Sequence, residues 1–261
     1  MNEMNHIENY YNNIDEEARL GYKHGLVEFL TTMRYIEKYL QPGAHVLEIG
    51  AGTGRYSRAI ADMGYKVEAV EFVPHNIEIF RQLTTETQDI RISQGNALDL
   101  NMFANNLFDI TLMFGPMYHL YTEADKHQAI SEALRVTKPG GVVLVAYCIS
   151  DASILEGLNS WFVDYVAKGK INPVTFDTTS EPEDIFELVR KDDIDRLMAQ
   201  FQVERLHYVA TDMISRLLRE SLTNASEEAF ELYLKYHFAV CERPDMVGLT
   251  NHSLDIFRKG A

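Results

Sequence analysis

The stretch LEIGAGTGRY, residues 47–56, constrains the fold of this chain more than any other. An apolar run carries a lone acid, Glu48, and is followed by Gly50, Gly52 and Gly54. Glycine has no Cβ, so alternate glycines let a backbone turn sharply and approach a ligand closely. The residues behind them, TGRYSRAIADMG, have the spacing of a helix closed by Gly64. A buried strand that turns through glycines into a helix is a unit of an α/β sheet. The start of that helix offers unpaired N–H groups to whatever the turn holds.

The same alternation continues. YKVEAVE reads as a second strand, PHNIEIFRQLTTET as a helix with Pro74 near its first turn, DIRISQGNA as a third strand and LFDITLMFG as a fourth. EADKHQAISEALRVTK reads as a helix stopped by PGG, and GVVLVAYC as a fifth strand. Upstream, Leu26, Phe29, Leu30, Met33, Ile36 and Leu40 recur at helical spacing over residues 24–40, before QPG breaks the pattern. Strands apolar on both faces, alternating with helices, predict a doubly wound, mostly parallel α/β sheet covered on both sides. Ligands of such sheets sit at the carboxyl ends of the strands. The informative segments are therefore EIGAGTG, VEFV, GNALD and MFGPMYHL.

After residue 150 the alternation weakens. DDIDRLMAQF looks helical, while QVERLHYVA and HSLDIFRK look like strands, with a helical stretch from about Thr211 to Arg243 between those two. Two insertions, residues 151–183 and 211–250, are thus added to the sheet, and neither is long enough for a domain of its own. The expectation is a single domain over residues 1–261: a helical cover (1–40), a cofactor-binding core (41–150) and two lid insertions.

Composition narrows the partners. There are 39 acidic and 24 basic residues, a formal net charge of −15, which disfavours a broad phosphate-binding surface; nucleic acid is not expected and a small molecule is. The longest apolar runs are too short to span a bilayer, so no membrane partner is expected. The polar, acidic start is not that of a signal peptide. Cys148 and Cys241 form no CxxC motif and no disulfide framework, which points to a reducing, cytoplasmic setting.

Glu71 ends the second strand, 17 residues after Gly54. An acid there can accept hydrogen bonds from both hydroxyls of a ribose, so the loop is expected to hold a nucleoside-containing cofactor. A dinucleotide fingerprint would read G-x-G-x-x-G; this loop reads G-x-G-x-G with Glu48 beside it. A carboxylate there would repel a pyrophosphate and suits a cofactor carrying a sulfonium and an ammonium.

VLEIGAGTGRYSRAIADMGYKVEAVE resembles the first two motifs of the class I S-adenosylmethionine-dependent methyltransferases. QGNALDL, FDITLMFGPMYHL and EALRVTKPGGVVLVAY resemble the subsequent motifs, in order. The resemblance covers about residues 40–150. It implies a seven-stranded, Rossmann-like methyltransferase fold, with QVERLHYVA and HSLDIFRK as the last strand pair, one of them antiparallel. It also implies S-adenosyl-L-methionine as cofactor and methyl transfer to a small-molecule acceptor by in-line displacement. By position, Gly50, Gly52 and Gly54 would line the methionine and ribose portion, and Glu48 would hold the loop and the amino-acid end. Glu71 would bind the ribose, with Phe72 against the adenine. Asn96, where the family often has Asp, would meet the adenine amino group, with Ala97 and Leu98 beside it. Phe114 and Gly115 would floor the site. A nicotinamide-dependent oxidoreductase, and a protein that binds the cofactor without catalysis, are the alternatives.

Several residues carry two readings. Asn96 suits an adenine contact or a turn. His119, after Tyr118 in GPMYHL, is a candidate general base or a packed residue. Tyr11 and Arg19 either close the pocket or belong to a surface helix. Trp161, in the first insertion, lines the acceptor pocket or packs a core. Tyr118 and His119 are placed on the sheet side of that pocket. Cys148 reads as a small buried hydrophobe. No metal-ligating acid pair is evident, and methyl transfer needs chiefly alignment, which can lower a barrier by about 7–11 kcal/mol.

Overall fold

The structure, a computed structural model, describes residues 3–14 and 16–260. Three helices lead in: α1 (Glu3–Tyr11), the single turn α2 (Glu16–Arg19) and α3 (Lys23–Tyr39). Strand–helix alternation follows, with β1 (His45–Ile49), α4 (Arg55–Asp62), β2 (Lys66–Glu71), α5 (Pro74–Leu83), β3 (Ile90–Gln94), β4 (Phe108–Met113), α6 (Glu123–Val136) and β5 (Thr137–Ile149). Beyond β5 lie α7 (Ser150–Glu156), α8 (Phe162–Ala167), β6 (Leu188–Val189), α9 (Lys191–Met198), β7 (Val203–Ala210), α10 (Arg219–Asn224), α11 (Glu227–Val240) and β8 (His252–Lys259).

The strands form one sheet in the order β3-β2-β1-β4-β5-β8-β7. β1 to β5 pair in parallel, and β8 runs antiparallel to both β5 and β7. This is the expected doubly wound, mostly parallel arrangement, with QVERLHYVA and HSLDIFRK as the last pair. One strand was not anticipated. β6 pairs with Cys148 and Ile149 at the end of β5 and is only two residues long, too short to leave a periodic signal. The stretch expected to be helical from Thr211 begins with turns and becomes helical at Arg219.

Side chains alternate across the sheet with the period of two. Val142, Leu144 and Ala146 of β5 pack on one face with Met33 and Ile36 of α3 and Tyr56 and Ile60 of α4. Val143, Val145 and Tyr147 pack on the other with Ala129 and Ile130 of α6 and Ile194 and Leu197 of α9. Both faces are therefore closed, and the open side of the sheet is its carboxyl edge.

The turn after β1 is fixed from below. Gly54 has φ +80°, and a Cβ there would lie 2.1 Å from Cε2 of the buried Phe80. Gly54→Ala is expected to cost about 2–4 kcal/mol, from left-handed backbone strain and overpacking together. Urea unfolding measures this directly; a variant as stable as the parent would contradict the packing.

Candidate functional site

A cavity of about 360 Å³ lies at the carboxyl edge, over the turn after β1 and the ends of β2 and β4. Gly50 and Gly52 line it; Gly54 does not, because it turns inward on Phe80. At Gly52 (φ +55°) the nearest atom a Cβ would meet is Glu16 Cγ, at 3.9 Å. The space above this residue is open, as a ligand in close approach to backbone requires.

Glu71 is buried at the end of β2 and ties the turn together. Its Oε2 accepts the Gly52 N–H at 2.7 Å, and its Oε1 accepts from the Val73 N–H at 2.8 Å and from Asn76 Nδ2 at 3.2 Å. Burial raises its pKa, and the Val73 and Gly52 bonds oppose the rise. Glu48, buried one strand over, accepts from the Ser57 N–H at 2.9 Å and from the Ser57 hydroxyl. Burial outweighs those bonds and pushes it up to about 7.

Phe72, Asn96, Ala97, Leu98, Phe114 and Gly115 all line the cavity. Asn96 lies on the cavity wall, and its Oδ1 accepts the Leu98 N–H at 2.9 Å in a local turn.

The N-terminal segment covers the cavity. Glu17 in α2 bonds Thr53 Oγ1 at 2.7 Å and Arg58 at 2.7 Å, which fastens the segment to the glycine turn and its helix. Arg19 bridges Glu16 and Glu28, each at 2.8 Å, and lines the cavity. Tyr11 lines it too, and its hydroxyl lies 3.0 Å from His119 Nε2. His119 Nδ1 is 2.8 Å from the Ile185 carbonyl, which only accepts. Nδ1 therefore holds the ring proton and Nε2 accepts from Tyr11. Burial lowers the His119 pKa to about 4. Tyr118 also lines this cavity.

The cavity is also lined by residues the sequence did not single out: Glu28, Arg216, Phe186 and His252. His252 Nδ1 is 2.9 Å from Asp212 Oδ2 and 3.4 Å from Glu28 Oε2. Burial opposes a charge on His252, but Glu28 and Asp212 outweigh it and hold the imidazolium well above its usual range. The ligand atoms of these three residues fall within 4.8 Å of one another, a spacing that also suits a metal. Here the acids face cations instead, Arg19 and His252. Trp161 is not in the first cavity. It lines a second, of about 300 Å³, which shares Phe186, Arg216 and His252 with the first.

Residues 47–145 match the family model described as a methyltransferase domain. The demethylmenaquinone methyltransferase of Renibacterium salmoninarum is 39% identical over 106 residues, 40% of this chain and 41% of that protein. The 2-methyl-6-phytyl-1,4-hydroquinone methyltransferase of Synechocystis is 32% identical over 108 residues, 41% of this chain and 33% of that one. Over residues 47–145 the chain is therefore similar to the class I S-adenosylmethionine-dependent methyltransferases. The alignments span about two-fifths or less of these curated relatives. A solved S-adenosylmethionine-dependent methyltransferase from Methanosarcina mazei shares the fold: TM-score 0.60, 15% identity, covering 87% of this chain and 97% of that one. The family's cofactor is S-adenosylmethionine. The residues present fit it, with open space above Gly52 beside the Glu71 carboxylate, and a second buried acid, Glu48, on the same wall.

His119 is expected to stay neutral with its proton on Nδ1 down to about pH 4, as read by imidazole ¹⁵N shifts. Because its folded pKa is depressed, its contribution to stability is full above about 6.5 and is lost as pH falls toward 4, by about 3 kcal/mol at most. An ordinary midpoint near 6.5 would contradict the burial and the Ile185 bond.

Proposed function

We propose that this chain methylates a small-molecule acceptor with S-adenosylmethionine bound in the cavity over the glycine turn. The observation that carries the reading is the open face of Gly52 held against Glu71 by the 2.7 Å bond. When bound, the cofactor supplies a methyl group on a sulfonium, which leaves as a neutral sulfide. Glu71 would take the ribose hydroxyls through lone pairs left by its backbone donors. Glu48 would hold the cationic amino-acid end, with Gly50 and Gly52 along the chain between. Phe72, Ala97 and Leu98 would enclose the adenine, with Asn96 at its edge, and Phe114 and Gly115 would floor the methionine. Gly54 would act at one remove, by setting the turn.

The acceptor would enter from the side of Tyr11, Tyr118 and His119, under a lid made by the N-terminal helices and the two insertions. Tyr11 occupies the His119 lone pair, so His119 would orient the acceptor through Tyr11 rather than take its proton directly. The names of the two curated relatives above specify a demethylmenaquinone and a hydroquinone, which supports a small molecule for this chain. The two cysteines are free and buried, which supports a reducing, cytoplasmic setting. No helix among the described residues is long and apolar enough to cross a membrane.

Calorimetric titration with S-adenosylmethionine, S-adenosylhomocysteine and NAD tests the proposal. The first two should bind and NAD should not; a folded protein that binds neither would refute it. Glu71→Ala removes charge-assisted bonds worth about 1.5–3 kcal/mol each, so affinity for S-adenosylhomocysteine should fall at least tenfold. Unchanged affinity would mean that the ribose lies elsewhere.

The pH dependence is a separate check. Glu48 titrates at about 7, is neutral below that and charged above it. Affinity for the cationic ligand should therefore rise several-fold between pH 6 and 7.5 and be flat in Glu48→Gln. A flat profile in the parent protein would remove Glu48 from the amino-acid site.

A further inference from the structure

The second cavity holds a polar group with nothing to bond. Asn251 lines it and is 2% exposed, and neither its Oδ1 nor its Nδ2 has a hydrogen-bond partner. Its backbone cannot swing away. The Asn251 N–H donates to Asp212 Oδ1 at 2.9 Å, and the Asn251 carbonyl accepts from the Ile149 N–H at 2.8 Å. Asp212 Oδ1 also accepts from Thr250 Oγ1 at 2.7 Å and the His252 N–H at 3.0 Å, so the whole 250–252 segment is pinned. A buried amide fixed in this way calls for a partner with one donor and one acceptor.

The surroundings specify that partner further. The charged groups on this wall are paired: Lys170 with Asp184 at 2.5 Å, Arg216 with Glu156 at 3.2 Å, and His252 with Asp212 at 2.9 Å. A charged ligand would compete with one of these pairs, while a neutral one need not. Trp161, Tyr165 and Phe186 supply flat apolar surface, with the Trp161 and Tyr165 rings 4.8 Å apart. Phe186, Arg216 and His252 line both cavities, which therefore lie side by side.

We propose that the second cavity seats the distal end of the methyl acceptor, a neutral, planar, ring-bearing group whose carboxamide or lactam edge pairs with the Asn251 side chain. This rests on the reading of the first cavity as the cofactor site. It makes Asn251 a specificity residue, and Trp161 and Tyr165 the ring contacts.

The test uses benzamide as probe, with acetophenone (no donor) and benzoate (charged) as controls, added to ¹⁵N-labelled protein loaded with S-adenosylhomocysteine. Benzamide should bind at least tenfold more tightly than either control and shift the Asn251 side-chain NH₂ resonances. Asn251→Leu should erase the preference while leaving S-adenosylhomocysteine affinity within twofold. No benzamide binding, equal binding of the three probes, or unmoved Asn251 resonances would overturn the proposal and leave the amide to a buried water. The resonance shift in the parent protein decides the matter even where the leucine variant fails to fold. Benzamide held at Asn251 by a protein that takes no S-adenosylhomocysteine would keep the ligand site and overturn only its assignment to a methyl acceptor.

Discussion

The hydrogen bond from the Gly52 N–H to Glu71 Oε2 is the constraint on which the site depends. It joins the turn after β1 to the end of β2, two strands that pair in parallel through five residues. Gly50 reinforces the junction by donating to the Val70 carbonyl at 2.8 Å. Glu71 Oε1 meanwhile fixes the start of α5 through Val73 and Asn76. One carboxylate thus orders two strand–helix junctions at the carboxyl edge of the sheet. The desolvation it suffers is offset by backbone donors, and the cleft between the junctions is the cavity.

A second electrostatic unit closes the other side. Glu28 lies on α3, Arg19 on α2, and His252 at the start of β8, next to the segment that Asp212 pins. Alternating signs let Glu28, Asp212 and His252 be buried together with the partly exposed Arg19 beside them, since each acid meets a cation. The arrangement joins α2 and α3 to the turn after β7 and the start of β8, and His252 lines both cavities. Removing one member leaves another unpaired in a buried setting, so the unit behaves as a whole rather than as separate bridges.

The core was legible in the sequence because its signals are local. A glycine turn, an apolar strand and a capped helix each occupy a few adjacent residues, and Glu71 is found by counting one strand–helix–strand unit. The spacing of Gly54 does not tell a ligand-facing glycine from a packing one; the position of Phe80 decides that, and Phe80 comes from another helix. Asp212 and His252 are 40 residues apart and meet only because β7 and β8 are antiparallel neighbours. Phe186 and β6 leave no periodic signal, and Asn251 looks like any loop asparagine until its backbone bonds are known. Trp161 lies between α7 and α8, and its cavity depends on how these helices and the 250–252 segment pack.

The central claim is that the glycine turn and Glu71 form a nucleoside site. A crystal structure of the protein with S-adenosylhomocysteine tests it most directly. The account predicts density in the 360 Å³ cavity, with the ribose hydroxyls on Glu71, the adenine beside Phe72 and Leu98, and the Gly52–Glu71 bond intact. A ligand bound elsewhere, or one whose ribose makes no contact with Glu71, would contradict it.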